Sequence, residues 1–269
     1  MFDTQDAAEE AAEGRHEAVR MRHEQVLQLI REQGFMSIGA LAEMFSVTPQ
    51  TVRRDINILS RQGLLQRHHG GAGPVLSTEN VDYLDRRIMC LQEKREIARL
   101  VAQQIPARSS LFINIGTTTE EVAKALFKHD KLRVITNNIN VAQTMSKNAS
   151  FEVIVSGGLV RHKDCGIVGE ATIDFIRQFK VDYGIIGISS IDMDGTLLDF
   201  DYREVRAARA IMENSRKVFL VTDHTKFGRN AMVRLGSIEE IDALFTDKRP
   251  PEELVEIMRR AGVALHVAE

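Results

Sequence analysis

The chain has no tryptophan, and in 269 residues it has only three tyrosines, five prolines and two cysteines. Cys90 and Cys165 stand far apart and in no paired motif. They provide neither a disulfide framework nor a zinc-ligand set, and their scarcity fits a reduced, cytoplasmic setting. No run of ~18 apolar residues is present, which argues against a membrane-crossing helix. The first residues are acidic and alanine-rich rather than basic and then apolar, unlike a secretory leader. A large excess of one charge is also missing. The formal net charge of −3 speaks against a surface uniformly drawn to polyanions, but it leaves room for a local basic patch. No metal and no cofactor are expected.

What is present suggests two domains, since a domain typically takes ~100–200 residues. Residues 1–21 carry six acids against two arginines and read as an acidic extension. Residues 22–74 form a compact unit, and 70-GGAGPVLST-78 opens a linker that reaches to residue 91. From 92 to 269, short β-branched runs alternate with helical patterns. The runs are 111–115, 132–136, 151–155, 181–188, 217–222 and 263–267. Several show no polar alternation, as strands covered on both faces do, so a mostly parallel sheet between helices is predicted.

The stretch 46-SVTPQTVRRDINILSRQGLLQRHHGGAG-73 concentrates the basic charge. Upstream of it, Ser37 can cap a helix with Ile38, Leu41, Ala42 and Phe45 on one face. Thr48 and Pro49 are suited to the cap and first turn of a second helix, whose apolar face is Val52, Ile56 and Leu59 and whose stop is Gly63. Gln50, Thr51, Arg53, Arg54 and Asn57 fall off that face. Val26, Leu27 and Ile30, on an earlier helix ended by Gly34, complete a small core. This is helix-turn-helix geometry, in which the second helix enters the major groove. Glutamine, arginine and asparagine can bond bidentately to base edges, and further arginines can hold phosphates.

Residues 64–73 then read as a hairpin wing with Arg67, His68 and His69 at its outer end. Ser37, Thr48, Gln50, Thr51, Arg53, Arg54, Asn57, Arg67, His68 and His69 are the candidate contacts to double-stranded DNA. A charge-rich helix is often only a solvated face. Here turn, caps, outward arginines and wing occur together, and residues 22–70 hold six arginines against four acids.

In the second domain, the strand ending at Ile115 runs into Gly116-Thr117-Thr118-Thr119 before a helix over 120–128. A glycine turn with hydroxyls at a helix N-terminus is an anion site. The next strands end in Thr136-Asn137-Asn138 and Ser156-Gly157-Gly158. All three turns should leave the carboxyl edge of the sheet, where open α/β sheets hold ligands. Lys226, after the strand ending at Thr222, adds positive charge there.

The run 51-TVRRDINILSRQGLLQRHHGGA-72 resembles the DNA-binding signature of the DeoR family of bacterial sugar-metabolism repressors. The resemblance continues from about residue 22 through 115-IGTTTEEVA-123, 136-TNNINVA-142, 156-SGG-158, 165-CGIVGEATIDFIRQF-179, 200-FDYREVR-206 and 223-DHTKFGRNAMV-233. It implies a winged helix-turn-helix followed by an α/β domain resembling ribose-5-phosphate isomerase, and an effector that is a phosphorylated metabolite. Glycerol-3-phosphate is the first implied, with fructose, tagatose and galactitol phosphates as alternatives. By that resemblance Gly116 to Thr119 and Lys226 hold the phosphate, and Asn137, Asn138, Gly157, Gly158, Ser189, Asp201 and Arg203 line the rest. Asn114 stands where many relatives have aspartate.

Two functional classes compete: a repressor that does no chemistry, and an isomerase with an added DNA-binding domain. The isomerases' acidic turn falls at Ile186 to Ser190 and their basic glutamate at Ala208, so the proton-moving groups are missing from those positions. Asp192, Asp194, Asp199 and Asp201 lie nearby in sequence and leave a relocated base open. The repressor reading expects a homo-oligomer, dimer or tetramer, on a palindromic operator.

Overall fold

The computed structural model describes residues 19–30, 36–68, 70–73 and 83–268. The chain divides into two compact units, Met1–Ser77 and Thr78–Glu269. In the first, helix α1 (19–30) is followed by strand β1 (Met36–Ser37), helices α2 (Ile38–Met44) and α3 (Pro49–Arg61), and strands β2 (Gln66–His68) and β3 (Gly71–Gly73). The caps predicted at Ser37 and Thr48 are in place, while Gly34, the predicted stop of the first helix, lies outside the described residues. Ser37 Oγ accepts from Ala40 N at 3.1 Å, Thr48 Oγ1 accepts from Thr51 N at 3.1 Å, and Pro49 opens α3. Gly63 takes φ +67° just beyond the end of α3, a conformation that costs a glycine little.

Val26, Ile30, Leu41, Val52, Ile56, Leu59 and Leu65 form the unit's core. β1 adds a third strand to the hairpin, in the order β1-β3-β2, which sequence reading did not anticipate. Asp55, on the otherwise basic α3, is 4% exposed and binds Arg22 at 2.7 Å and His23 at 3.0 Å, fastening α1 to α3.

The second unit begins with α4 (Tyr83–Ile88) and α5 (Leu91–Gln104). α4 lies within the stretch expected as the linker 75–91 and falls in this second unit. The chain continues through β4 (Ser110–Ile113), α6 (Thr117–Ala125), β5 (Arg133–Thr136), α7 (Ile139–Met145) and β6 (Glu152–Val155). A hairpin of β7 (Leu159–Val160) and β8 (Ile167–Val168) leads to α8 (Glu170–Ile176) and β9 (Val181–Gly187). Next come β10 (Ser190–Ile191), β11 (Thr196–Asp199), α9 (Tyr202–Glu213), β12 (Ser215–Val221) and β13 (Val233–Ser237). The last elements are β14 (Ala243–Thr246), α10 (Glu252–Ala261) and β15 (Ala264–Val267).

Seven strands pair in parallel in the order β15-β14-β12-β9-β4-β5-β6. From β4 the chain steps outward through β5 and β6, then returns to the other side of β4 and continues through β9 to β15. The order reverses between β4 and β9, which is where a crevice opens at the carboxyl ends of the strands. One face of the sheet packs against residues of α5, α6 and α7, the other against residues of α8, α9 and α10. The predicted runs all became strands, with ends shifted by one to two residues. β14 was not anticipated, nor was the small antiparallel sheet β10-β11-β13.

Candidate functional site

The first unit presents a polar face on α3. Gln50, Arg53, Arg54 and Arg61 are exposed, while Thr51 and Asn57 are half-buried. Arg67 on β2 donates to Asn57 Oδ1 at 3.0 Å, so the wing is tied to the second half of α3. Arg53, Asn57 and Arg67 line one groove between helix and hairpin. Ser37 and Thr48 spend their hydroxyls as caps, which leaves their backbone and position, more than their side chains, to meet DNA. The backbone of His68 ends β2, and His69 lies outside the described residues.

The second unit holds a small crevice of about 40 Å³ at the reversal point of the sheet. Its floor is the turn after β4. Gly116 has φ +149°, and a Cβ there would approach Thr119 Oγ1 to 3.2 Å. Thr119 Oγ1 in turn donates to the carbonyls of Asn114 and Gly116, each at 2.8 Å. Thr119 therefore holds the turn from behind and does not line the crevice. The helix begins at Thr117, earlier than predicted, and ends at Ala125. It has no side-chain cap, so the first-turn N–H groups beside Gly116, Thr117 and Thr118 are available to an anion.

Lys226 faces this turn from the short 3₁₀ turn after β12. Burial, against the pull of Asp223, brings its ammonium down to about 8. Burial opposes ionisation of Asp223 too, yet Lys226, Thr225 and Lys94 hold its carboxyl below the usual range. Two further cations line the crevice that sequence reading missed, Arg86 on α4 and Lys94 on α5. Lys94 is 3% exposed, and its Nζ donates to the carbonyls of Arg86 at 2.5 Å and Met89 at 2.7 Å. Desolvation lowers its pKa. No spacing rule links Arg86, Lys94 and Lys226; only the fold brings them together.

Ser189, Asp199 and Glu204 form another part of the wall. Asp199 Oδ1 accepts from Ser189 Oγ at 3.1 Å, and Glu204 binds Arg161 at 2.7 Å. Burial, then the neighbouring Asp199, pushes the Glu204 carboxyl up to about 7; burial raises Asp199 as well.

Other predicted residues lie elsewhere. Asn137 donates to Ile167 O at 3.1 Å, and Asn138 caps α7 and donates to Glu120 at 3.2 Å. Gly158 packs against Thr172, Val168 and Ile167, and Gly157 gives its carbonyl to Thr172 Oγ1 at 2.8 Å. None of these four lines the crevice, because β5 and β6 lie beyond β4 on the side away from β9. Asp201 caps α9 and pairs with Arg161 and Arg203, each at 3.0 Å, so these groups are satisfied outside the crevice wall. Of the four acids that left a relocated base open, Asp199 alone reaches the crevice; Asp192 and Asp194 are exposed.

Residues 22–78 match the DeoR-like helix-turn-helix domain, and residues 89–248 match the DeoR C-terminal sensor domain. The chain belongs to the DeoR family. A glycerol-3-phosphate regulon repressor of Escherichia coli (strain K12) is 54% identical over 91% of this chain and 98% of its own length. One of Haemophilus influenzae is 49% identical over 91% and 95%. The HTH-type transcriptional repressor CsqR of Escherichia coli is 45% identical over 87% and 89%. This DeoR-family chain is accordingly a DNA-binding transcriptional repressor with a sensor domain, not an enzyme. Among solved structures, ribose-5-phosphate isomerase A of Neisseria gonorrhoeae aligns over 53% of this chain and 54% of its own, at 13% identity and a TM-score of 0.36. No described helix is long and apolar enough to cross a membrane.

Proposed function

We propose that this repressor holds its operator in the unliganded state and is released by a small phosphorylated polyol, glycerol-3-phosphate foremost. The observation that carries the reading is the uncapped N-terminus of α6, which opens beside the half-buried Lys226 at the reversal point of the sheet. A helix N-terminus facing a lysine in a partly desolvated crevice suits a phosphate. Gly116, Thr117, Thr118 and Lys226 are its holders, Arg86 and Lys94 supplement them, and Ser189 sits on the wall beside them. The names of the relatives support glycerol-3-phosphate as the metabolite.

Release requires the metabolite to prefer one of two states of the protein. α4 is suited to report it. Arg86 lines the crevice, and Lys94 holds the carbonyls of Arg86 and Met89. At the other end of α4, Tyr83 Oη donates to Glu120 on α6 at 2.9 Å. α4 is also the first described helix after the DNA-binding unit in the chain. A coupling of ~1–3 kcal/mol, about 5–150-fold in operator affinity, is enough for a switch.

On DNA, we place α3 in the major groove, with Gln50, Thr51, Arg53, Arg54 and Asn57 toward bases and phosphates and the wing's Arg67 alongside, in the cytoplasm. A homo-oligomer, dimer or tetramer, presents two such helices ~34 Å apart or at multiples, so the operator is a palindrome. Arg54→Ala tests this placement. Operator affinity should fall, and if Arg54 holds a phosphate the salt slope should drop by about one unit. An unchanged affinity removes α3 from the groove.

The decisive experiment is release from DNA taken upstream of the chain's own gene and of glycerol-use genes. The panel is glycerol-3-phosphate, fructose, tagatose and galactitol phosphates, and ribose-5-phosphate. Release by glycerol-3-phosphate alone is expected. Release by another member keeps the class and replaces the effector, and indifference to all of them removes the phosphate reading.

A further inference from the structure

The crevice lining carries charges of both signs. Its phosphate end has the open start of α6, Lys226 and Lys94, with Asp223 as the acid there. A second stretch of its lining has the carboxyl groups of Asp199, at the end of β11, and Glu204, in the first turn of α9. Asp199 adds to the cost of ionising Glu204, beyond what burial imposes. Asp199 accepts from Ser189 Oγ and from Phe200 N, and Glu204 accepts from Arg161. Arg161 is itself divided among Glu204, Asp164 and Asp201, at 2.7, 2.6 and 3.0 Å.

We propose that Asp199 and Glu204 form the hydroxyl-reading end of the crevice, so that it admits a phosphorylated polyol and refuses the phosphorylated acid of the same carbon skeleton. This rests on the effector reading above and adds the chemistry of the ligand's other end. A hydroxyl donates to a carboxylate and accepts from a carboxylic acid, so it suits a pair sharing a proton. A ligand carboxylate has no proton to donate and meets like charge, which costs several kcal/mol where water is excluded. The open start of α6 and Lys226 take the phosphate, which leaves Asp199 and Glu204 to meet the rest of the ligand. The two acids then decide which three-carbon phosphate stays.

The groups facing the pair are few and come from every side. Arg161 and Asp164 come from the segment between β7 and β8, Arg86 from α4, Arg229 from the segment before β13, and Asp201 from the cap of α9. The arginines stay charged at all accessible pH. Between pH 6 and 8 the proton change at this end therefore belongs to Glu204, whose carboxyl is pushed up to about 7.

The test compares glycerol-3-phosphate with 3-phosphoglycerate, which differ in one terminal group, a hydroxymethyl against a carboxylate. Both are titrated calorimetrically into the full-length protein and into its operator complex. At pH 7.5 the polyol phosphate should bind about a hundredfold or more tighter, following from the cost of like charges. Glu204→Gln and Asp199→Asn should each shrink that ratio about tenfold or more, chiefly by admitting the acid. In the unmodified protein the ratio should narrow from pH 8 to pH 6 as the pair gains its proton. The shared phosphate cancels from the ratio. If Glu204→Gln does not fold, Asp199→Asn and the pH profile carry the test. Equal binding of the two ligands, or a ratio that neither variant nor pH moves, overturns the proposal and leaves the phosphate end standing. Binding of neither ligand overturns the effector reading and this proposal with it.

Discussion

The turn after β4 and the turns after β5 and β6 resemble one another in sequence, yet they differ in what they leave available. Each carries glycine, threonine, asparagine or serine, and each leaves the carboxyl edge of the same parallel sheet. After β4, the helix start is uncapped and faces the half-buried Lys226. After β5, Asn138 caps its own helix and Asn137 is bonded to β8. After β6, Gly157 and Gly158 are packed against α8 and the β7–β8 hairpin. Position relative to the reversal between β4 and β9, more than residue type, separates a ligand turn from a structural one.

The largest effect that can break this comparison is at Lys226. Lys226→Met should weaken glycerol-3-phosphate binding by about a hundredfold, in line with the ~1.5–3 kcal/mol of a charge-assisted contact. Operator affinity without ligand should be unchanged. Calorimetry and operator release report the two separately, and retained induction would move the phosphate elsewhere.

A substitution at the other turn should act on the fold alone. A Cβ on Gly158 would meet Thr172 Oγ1 and Val168 O at 2.3 and 2.9 Å, at φ +141°. Gly158→Ala should therefore destabilise the second unit by ~1–3 kcal/mol. Below the melting transition it should leave effector affinity within about twofold. Loss of affinity in well-folded Gly158→Ala protein would place the β6 turn in the site after all.

How much of this was legible beforehand depends on range. The caps at Ser37 and Thr48, the stop at Gly63 and the core faces of α2 and α3 are local patterns, and they read correctly. The buried strands did too, apart from β14, whose four residues Ala243 to Thr246 are too short for periodicity to separate from a helix. Asp55 was not singled out; its partners Arg22 and His23 are more than 30 positions away. Arg86 sat in what read as a linker, and Lys94 was not singled out. Glu204 was hidden inside a family motif and had no assigned role. These long-range placements come from the strand order, which a linear reading of the chain does not supply.

A smaller effect sharpens the electrostatics of the ligand turn. Lys226 titrates near 8 in the unliganded protein because burial lowers it. A dianion stabilises the charged form, so above that pH binding must take up a proton. Affinity for glycerol-3-phosphate should therefore fall as pH rises from 8 to 10, by up to about tenfold per unit. Lys226→Arg, charged throughout, should flatten the profile if it still binds. A flat profile in the unmodified protein would mean that Lys226 does not meet the phosphate.

The smallest effect concerns a row of polar atoms that neither turn uses. Asn114, Asn137 and Ser156 follow β4, β5 and β6 directly, and the strand register sets them side by side. Asn114 Oδ1, Asn137 Oδ1 and Ser156 Oγ are buried without a hydrogen-bond partner among the described residues. An unsatisfied buried group costs ~1–3 kcal/mol, and removing it with little change in shape can be neutral or stabilising. Ser156 is the simplest to remove. Ser156→Ala should leave effector affinity unchanged and shift stability between zero and about +1 kcal/mol, measured by denaturant unfolding of the second unit's transition. A loss of stability would show that the hydroxyl is bonded through water, and a loss of effector affinity would extend the ligand site across β5 to β6, erasing the distinction between the turns.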